Sequence, residues 1–248
     1  RPATVSPLPA AEAWIEAVAS RETNRALQAI FRNLPALQVN DPEKQEAALL
    51  KLRQLAVAKE AGFHIPDTLV TNSATDAAAF YETHKGKIIY KLIDESTVGL
   101  LPGQRNPAGI YTTAVQEADL NQLSAVGKSL HLFQELVPKQ CDIRLTVIKD
   151  RILGARILSQ QGQGFLDFRL DYSVPIEVYV PSSSIQASIF ELMSRLGLTF
   201  GCIDLAIDMR GREVFFEINP QGQFLWLEDA AGLPLSETLA ELRSAGQK

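Results

Sequence analysis

Two apolar runs close to the C-terminus constrain the fold of this chain most. They cover residues 199–208 and 213–219, with the turn signal Arg210-Gly211 between them. Runs of this length and spacing predict an antiparallel hairpin. Because side chains at i and i+2 of a strand project from one face, Glu217 and Asn219 are predicted to lie side by side. A carboxylate and an amide oxygen in that arrangement form half of a site suited to Mg²⁺.

The first run carries one carboxylate in an apolar context, Asp204 between Ile203 and Leu205. If the two runs pair, Asp204, Glu217 and Asn219 converge from adjacent strands. Three oxygen donors of this kind predict a magnesium clamp able to hold metal ions against a triphosphate. The residues leave an alternative open, in which Asp204 forms a surface ion pair with an arginine.

Composition narrows the class of protein. The chain has 248 residues, of which 46% are apolar and 21% charged, values typical of a globular protein. One compact domain of two lobes, or two small domains, is expected. The formal net charge of −5 argues against a protein that binds nucleic acid, which usually presents a basic face. An acidic substrate would therefore need a local basic patch.

The cysteines and the ends of the chain bear on its location. Cys141 and Cys202 lack the spacing of a zinc site or a redox motif, so buried thiols in a reducing cytoplasm are predicted. We expect no membrane contact, since no apolar run is long enough to span a bilayer and the N-terminus lacks a signal-peptide pattern. The chain begins at Arg1 rather than Met, and we expect an upstream segment to be missing.

Periodicity, prolines and caps predict a mixed α and β chain. The predicted helices cover residues 10–34, 41–62, 73–81, 117–126 and 182–196 and the stretch after 225, and the predicted strands cover residues 37–39, 69–71, 87–93, 131–137, 142–149 and 151–159 with the closing hairpin. Lys51 lies within the second helix and Lys91 in the middle of the third strand. A lysine buried there needs an anion beside it, unless that face of the strand is wet.

Other chemistry-bearing residues carry less weight. The spacing of His64, His84 and His131 suits neither a metal site nor a catalytic triad, and surface or packing positions are predicted. Aromatic residues near the closing hairpin, Phe215 and Phe216 among them, are predicted to be core rather than a stacking platform.

Taken in order, these pieces resemble the ATP-grasp superfamily over most of the chain. The matching pieces are Lys51, Lys91, Gln134-Glu135-Leu136-Val137, Asp142-Ile143-Arg144, Asp204 and Glu217-Ile218-Asn219. The segment around Lys51 and the string Cys141-Asp142-Ile143-Arg144 look like those of ribosomal-protein glutamate ligases. Each piece is unspecific alone, whereas the ordered set is specific.

A narrower resemblance is to the graspetide synthetases, the microviridin-type peptide macrocyclases. It rests on short strings at residues 39–42, 65–68, 71–72, 110–112, 167–169 and 219–229. The string Asp167-Phe168-Arg169 has Phe where the family often has Trp. The resemblance implies an α+β ATP-grasp fold whose two lobes clasp ATP between antiparallel sheets. It also implies that the family's N-terminal domain is largely absent, with residues 1–40 as a lead-in, 41–136 as the small lobe and 137–248 as the C-terminal lobe.

The resemblance also implies roles for single residues. Lys51 and Lys91 would reach the α- and β-phosphates of ATP, and the backbone from Gln134 to Val137 would face adenine. Glu135, Lys139 and Asp142 would lie near the nucleotide. Mg²⁺ would bind to Asp204, Glu217 and Asn219. The substrate carboxylate or its tetrahedral intermediate would be held by Arg144, Arg156 and Arg169. Asp167 would orient an arginine or accept a proton from the incoming hydroxyl or amine.

The activity implied is an ATP- and magnesium-dependent carboxylate ligase that cross-links a precursor peptide carrying a leader sequence. It would join acidic side chains to Ser or Thr hydroxyls or Lys amines. Two alternatives remain, namely addition of free glutamate to a protein tail and an ATP-binding module without turnover. A homodimer is one option for its assembly, which the sequence does not decide.

Overall fold

The computed structural model describes residues 10–94 and 112–245. Residues 1–9 of the expected lead-in and most of the string at 110–112 lie outside these ranges. The chain forms two units, Arg1–Gln38 and Val39–Lys248, and each is described by itself. In the described ranges, no helix is long and apolar enough to cross a membrane.

The first unit contains helix α1, Ala10–Arg32, as predicted. Several of its apolar side chains are exposed, among them Trp14 and Phe31. The strand predicted at residues 37–39 is wrong, because no strand pairs with this segment. The residue that follows it, Asn40, instead binds the backbone of Phe200 and Pro220 through its side chain.

The second unit contains a small lobe built on a four-stranded antiparallel sheet. The sheet order is β1-β4-β2-β3, with strands β1 Thr68–Thr71, β2 Ile88–Lys91, β3 Thr113–Ala114 and β4 His131–Glu135. Helix α4, Ala74–Thr83, and a 3₁₀ helix, Glu117–Lys128, pack on it. Ser73 caps α4 as predicted, since its hydroxyl accepts a hydrogen bond from the Asp76 amide.

The large lobe of the same unit contains a five-stranded antiparallel sheet in the order β7-β6-β5-β8-β9. Its strands are β5 Lys139–Ile148, β6 Arg151–Ile157, β7 Ile176–Tyr179, β8 Phe200–Asp208 and β9 Glu213–Asn219. Both predicted hairpins, β5–β6 and β8–β9, are present. The edge strand β7 was not predicted, because its four residues are half-buried to exposed and carry little apolar alternation.

The two faces of the large sheet have different coverings. One, the helix face, carries Ile143, Leu205 and Phe215, and it packs against helices α2 Pro42–Ala48, α3 Lys51–Glu60 and α5 Ser183–Leu196. The other, the cleft face, carries Arg144, Asp204 and Glu217. Helices α6 Leu225–Ala231 and α7 Leu235–Ala245 cover one end of the cleft face. The other end bears the polar side chains described below.

Two predictions about the region after residue 41 need correction. Asp41 does cap a helix, since its carboxylate accepts from the amides of Glu43 and Lys44, but the single helix predicted for 41–62 is two helices that break at Leu49 and Leu50. These helices pack with the large sheet. The packing of α2 and α3 against β5, β8 and β9 differs from the expected assignment of residues 41–62 to the small lobe.

Candidate active site between the two sheets

The closing hairpin brings the predicted metal ligands together. Asp204 lies opposite Glu217, and Cys202 lies opposite Asn219. The register shifts by one residue after Asp204, so that Phe216 is an extra residue between Phe215 and Glu217. Such a bulge re-aims the side chains that follow it. Phe215 is therefore buried in the helix-face core, whereas Glu217 faces the cleft beside Asp204.

Asp204 is held from one side only. Arg144 donates from Nη1 to Asp204 Oδ2 at 2.6 Å and from Nη2 to the carbonyl of Gln223 at 3.3 Å. The other carboxylate oxygen, Oδ1, is buried and has no hydrogen-bond partner among the described residues. A buried carboxylate oxygen without a donor is unfavourable. Its position beside Glu217 fits a divalent cation, which would bind both carboxylates.

Burial and the neighbouring charges shift the pKa values of Asp204 and Glu217 in opposite directions. Burial raises the pKa of Asp204, and the Arg144 guanidinium offsets only part of this effect. Burial acts on Glu217 in the same sense, but the ammonium groups of Lys91 and Lys51 outweigh it and lower the pKa of Glu217. Of the two carboxylates, Glu217 therefore has the stronger preference for the ionised form.

Two lysines from different elements approach Glu217. Lys51 Nζ lies 3.5 Å from Glu217 Oε2. Lys91 ends strand β2 of the small lobe, and burial lowers its pKa although Glu217 opposes the shift. From the sequence, a lysine buried in mid-strand was expected to need an anion beside it. The charge that acts on Lys91 in this way is that of Glu217. Both ammonium groups therefore lie next to the predicted metal site, where a phosphate chain would need them.

Gln54 explains how Lys51 reaches this position. Its amide nitrogen donates to the carbonyls of Ala48, at 2.6 Å, and Ile218, at 2.9 Å. Its amide oxygen accepts from the Ile218 amide at 3.0 Å. The first bond takes up a carbonyl at the end of α2, and the other two fix α3 to β9 one residue from Glu217. Since residues three apart lie on one side of a helix, Lys51 faces Glu217.

A narrow cleft lies between residues of the small lobe and residues of the large lobe. Its lining comprises Ile89, Lys91, Thr112, Glu135, Leu136, Val137, Lys139, Phe165, Leu166 and Phe216. The volume is about 40 Å³, room for roughly one water. The lining includes Glu135, Leu136 and Val137 as predicted. Gln134 does not line it, because its buried amide donates to Thr68 Oγ1 at 3.0 Å.

Phe216 was predicted to be core, and that prediction is wrong. The bulge leaves its ring half-buried in the cleft. The Lys91 ammonium lies 5.3 Å from the ring centroid and the Lys139 ammonium 5.7 Å. These distances allow cation–π attraction. The ring therefore separates and orients two cations at the wall of the cleft.

Lys139 belongs to a buried chain of polar contacts. Its ammonium donates to Asp142 Oδ1 at 2.7 Å and to the Leu166 carbonyl at 3.3 Å. Ser159 donates to Asp142 Oδ2 at 2.5 Å. Burial raises the pKa of Asp142, although Lys139 and Ser159 oppose the shift. Asp142 thus contacts the cleft through Lys139, and its own side chain is not among the lining residues.

Asp167 and Arg169 form a fork within one loop. Arg169 donates from Nε to Asp167 Oδ1 at 2.8 Å and from Nη2 to Oδ2 at 2.6 Å. Burial alone would raise the pKa of Asp167, but these hydrogen bonds outweigh it and the pKa is lowered. The charge of Arg169 also acts on Lys91, Asp204 and Glu217. The fork therefore lies close to the lysine and carboxylate group.

Arg156 does not join the other predicted arginines. It pairs with Ile143 across β5 and β6, so it projects from the helix face, whereas Arg144 projects from the cleft face. Its guanidinium carbon lies 5.5 Å from the ring centroid of Tyr179. The structure therefore does not bring Arg156 together with Arg144, although both were expected to bind the substrate carboxylate. The sequence shows the two strands but not the register between them.

Three further residues support the site and were not predicted for it. Gln54 and Ser159 are buried polar residues whose partners lie far away in sequence, and no local pattern marks them. Asn40 was noted only as part of a string. Its amide oxygen accepts from the Thr199 and Phe200 amides, and its nitrogen donates to the carbonyls of Phe200 and Pro220. Asn40 therefore fixes the start of β8 to the turn that follows Asn219.

A histidine lies at the outer edge of the cleft. His84 Nε2 is 3.9 Å from Asp67 Oδ2, and His84 Nδ1 is 4.0 Å from Glu135 Oε2. These distances are too long for hydrogen bonds. The side chain also packs on Phe80, with ring centroids 4.4 Å apart. His84 is therefore a packing residue between two carboxylates, as the sequence predicted.

No protein-family model matches the chain, and no curated protein sequence matches it. Solved structures do. The macrocyclase MdnC of Microcystis aeruginosa MRC, bound with precursor peptide MdnA, is 27% identical with a TM-score of 0.83 over 96% of this chain and 74% of that chain. A RiPP-associated ATP-grasp ligase of Chryseobacterium gregarium, in complex with ADP and a leader and core peptide, is 25% identical with a TM-score of 0.84 over 96% and 71%.

A third solved structure agrees with these two. The macrocyclase MdnB of Microcystis aeruginosa MRC is 27% identical with a TM-score of 0.75 over 97% of this chain and 73% of that chain. The similarities confirm the ATP-grasp fold and the resemblance to graspetide synthetases.

Proposed function

We propose that this ATP-grasp ligase uses ATP and Mg²⁺ to activate carboxylates of a precursor peptide and to join them to hydroxyls or amines of the same peptide. The observation that carries the proposal is the pair Asp204 and Glu217, which face the cleft with Lys51, Lys91 and Arg144 around them. Hard oxygen ligands next to several cations suit a metal-bound triphosphate. The comparisons supply the substrate class, since the similar structures contain precursor peptides.

In this account the cleft orients the nucleotide. Ile89, Leu136 and Phe216 give it an apolar wall, which suits a base, and the backbone of residues 135–137 supplies the polar edge. Lys51 and Lys91 would bind phosphate oxygens as point charges. Asp204, Glu217 and Asn219 would hold Mg²⁺, which offsets charge on the phosphates when bound. The lobes must separate further to admit a nucleotide, because the volume is only about 40 Å³.

The reaction is a dehydration driven by ATP. A carboxylate oxygen of the peptide bonds to the γ-phosphorus and ADP leaves, which gives an acyl phosphate. A hydroxyl or amine then attacks the acyl carbon, and phosphate departs with one oxygen of the original carboxylate. The proton of the nucleophile leaves with phosphate or solvent. Positioning and electrostatics carry most of the work in such phosphoryl transfers.

The arginines divide the remaining tasks. Arg144 is engaged by Asp204 and the Gln223 carbonyl, so its contribution is to hold a metal ligand. Arg169 is more exposed, with 37% of its side chain accessible, and its planar group suits a carboxylate or an oxyanion. Asp167 is a poor proton acceptor, because hydrogen bonds lower its pKa. It orients Arg169 for the peptide carboxylate.

Partner, location and lobe boundaries belong to the same proposal. A leader sequence would deliver the peptide, as the relatives' complexes with leader and precursor peptides suggest. A reducing cytoplasm suits the buried free thiols Cys141 and Cys202. We place the small lobe at about residues 64–136 and the C-terminal lobe at 137–248, with α2 and α3 packed on the latter.

Mass spectrometry of a precursor peptide tests the proposal. The probe is a short peptide rich in Thr, Asp and Glu, encoded beside the gene for this chain and incubated with the protein, ATP and Mg²⁺. We expect a loss of one water for each cross-link, with one ADP released. A mass gain of one glutamate per ADP would instead support a protein-tail ligase. ATP binding without ADP release, with every acceptor tried, would support a module without turnover.

A further inference from the structure

Lys139 is held at the wall of the cleft with one donor to spare. An ammonium group has three N–H donors. Two of them point to Asp142 Oδ1 and the Leu166 carbonyl. The ammonium lies 5.7 Å from the centroid of Phe216, a cleft residue. One N–H therefore remains for an acceptor that enters the cleft.

This arrangement is rigid for a lysine. Only 6% of the Lys139 side chain is exposed, and a mobile lysine side chain loses rotamer entropy when it is fixed. In this protein the rotamer entropy of Lys139 is lost on folding, because Asp142 and Leu166 hold the ammonium before any ligand binds. A charge fixed in advance interacts more strongly with a ligand than a mobile one.

Asp142 depends in turn on Ser159. Asp142 is buried, and its second oxygen has Ser159 Oγ as its donor at 2.5 Å. Ser159 is fully buried and begins the short 3₁₀ helix Ser159–Gln161. Without this hydroxyl, Asp142 Oδ2 would be left without its donor, which favours rotation or protonation of the carboxylate. Either change weakens the hold on Lys139.

We propose that Ser159 is a positioning residue for the nucleotide, acting through Asp142 to hold the Lys139 ammonium toward the cleft. This inference rests on the proposed function, since it takes the cleft ligand to be ATP. The chain of contacts also reaches the loop that carries Asp167. Lys139 bonds the carbonyl of Leu166, the residue before Asp167. The same ammonium thus links the nucleotide cleft to the Asp167–Arg169 fork.

The test measures ATP affinity directly by calorimetry in the presence of Mg²⁺, separately from peptide turnover. S159A should raise the Kd for ATP about tenfold, the size expected when a buried charged group loses its donor. S159T keeps the hydroxyl and should restore affinity to within about twofold of wild type by the same reasoning. Thermal unfolding of each variant checks that it is folded.

A matched control and a double variant sharpen the test. Ser173 also donates to a carboxylate, Asp171 Oδ1 at 2.6 Å, but Ser173 is exposed and Asp171 only half-buried, so S173A should leave the Kd unchanged. Because Ser159 acts through Asp142, S159A added to D142N should weaken binding no further than D142N alone. Wild-type affinity in folded S159A, or full additivity with D142N, would overturn the inference. Failure of the wild type to bind ATP would instead refute the proposed function.

Discussion

At the residue scale, Asp204 shows the site's logic most plainly. One oxygen is fixed by Arg144, and the other is buried without a partner among the described residues. A single ion pair would not need a second carboxylate, Glu217, directly opposite Asp204 across the strands. The sequence left open a surface ion pair between Asp204 and an arginine. An arginine does bind Asp204, but the pair is buried. It leaves a donor atom for a metal.

Asp204→Asn tests this residue directly. The substitution keeps the shape of the side chain but removes the charge that a divalent cation needs. We expect turnover of ATP to fall by about 10²- to 10³-fold, the loss typical of a missing electrostatic contact in a transition state. Asp208→Asn is the control, because Asp208 ends the same strand but serves the turn through Arg210 and Arg212. An equal loss in both variants would argue for damage to β8.

Asp167 allows a prediction for pH. Its pKa is lowered in the folded protein because Arg169 binds both oxygens. A group with a lowered folded pKa contributes stability above its unfolded pKa, about 3.9, and loses it as the pH falls through the folded value. Wild type should therefore exceed Asp167→Asn in stability by about 1 to 2 kcal/mol near neutral pH.

The same argument predicts that the difference shrinks below about pH 4. Unfolding by urea at a series of pH values measures it. A stability difference that stays constant from pH 7 to pH 3.5 would mean that the fork is not an ionic contact.

At the element scale, two devices build the site, and neither is visible in the local sequence. Gln54 binds the carbonyl of Ala48 at the end of α2 and fixes α3 to β9. The bulge at Phe216 turns Glu217 toward Asp204. By contrast, the caps formed by Asp41, Ser73 and Ser182 are contacts with the next few residues, which a local sequence pattern can indicate. Gln54 contacts Ile218, 164 residues away, so only the folded chain shows its role.

Gln54→Ala tests the first device. Loss of three buried hydrogen bonds should destabilise the protein by about 2 to 4 kcal/mol. The ATP concentration at half-maximal rate should also rise, since Lys51 loses its fixed position opposite Glu217. Gln186→Ala is the control, because that glutamine makes one local bond, to the Pro181 carbonyl. A loss of stability with unchanged ATP dependence would show that Gln54 does not position Lys51.

The faces of the sheet on which the arginines lie could not be predicted, because they depend on how the strands pair. The family resemblance assigned Arg144 and Arg156 to the same substrate carboxylate, and the register between β5 and β6 cannot be read from the sequence. The register opposes Arg156 to Ile143 and Arg144 to Ala155, which puts the two arginines on opposite faces. The grouping of Glu217 and Asn219 on one face could be predicted, because they are two residues apart in one strand and this relation needs no register.

At the scale of the whole molecule, the fold was predicted from the order in which the matching residues and strings occur along the chain. Each lobe contains one antiparallel sheet, and the lysines of α3 and β2 meet the carboxylates of β8 and β9 between them. The closed cleft, with a volume of about 40 Å³, was not predictable, since the separation of two lobes depends on few contacts. Nucleotide binding should therefore change the accessibility of the backbone at residues 135–137, which hydrogen exchange measures.

The central claim is that a peptide carboxylate becomes an acyl phosphate at the site formed by Lys51, Lys91, Asp204 and Glu217. A precursor peptide with ¹⁸O in its carboxylates tests it most directly, because the phosphate that leaves must carry one oxygen of the carboxylate it activated. Mass spectrometry of the released phosphate should show one ¹⁸O for each cross-link formed. Cross-linked peptide together with unlabelled phosphate would contradict the account.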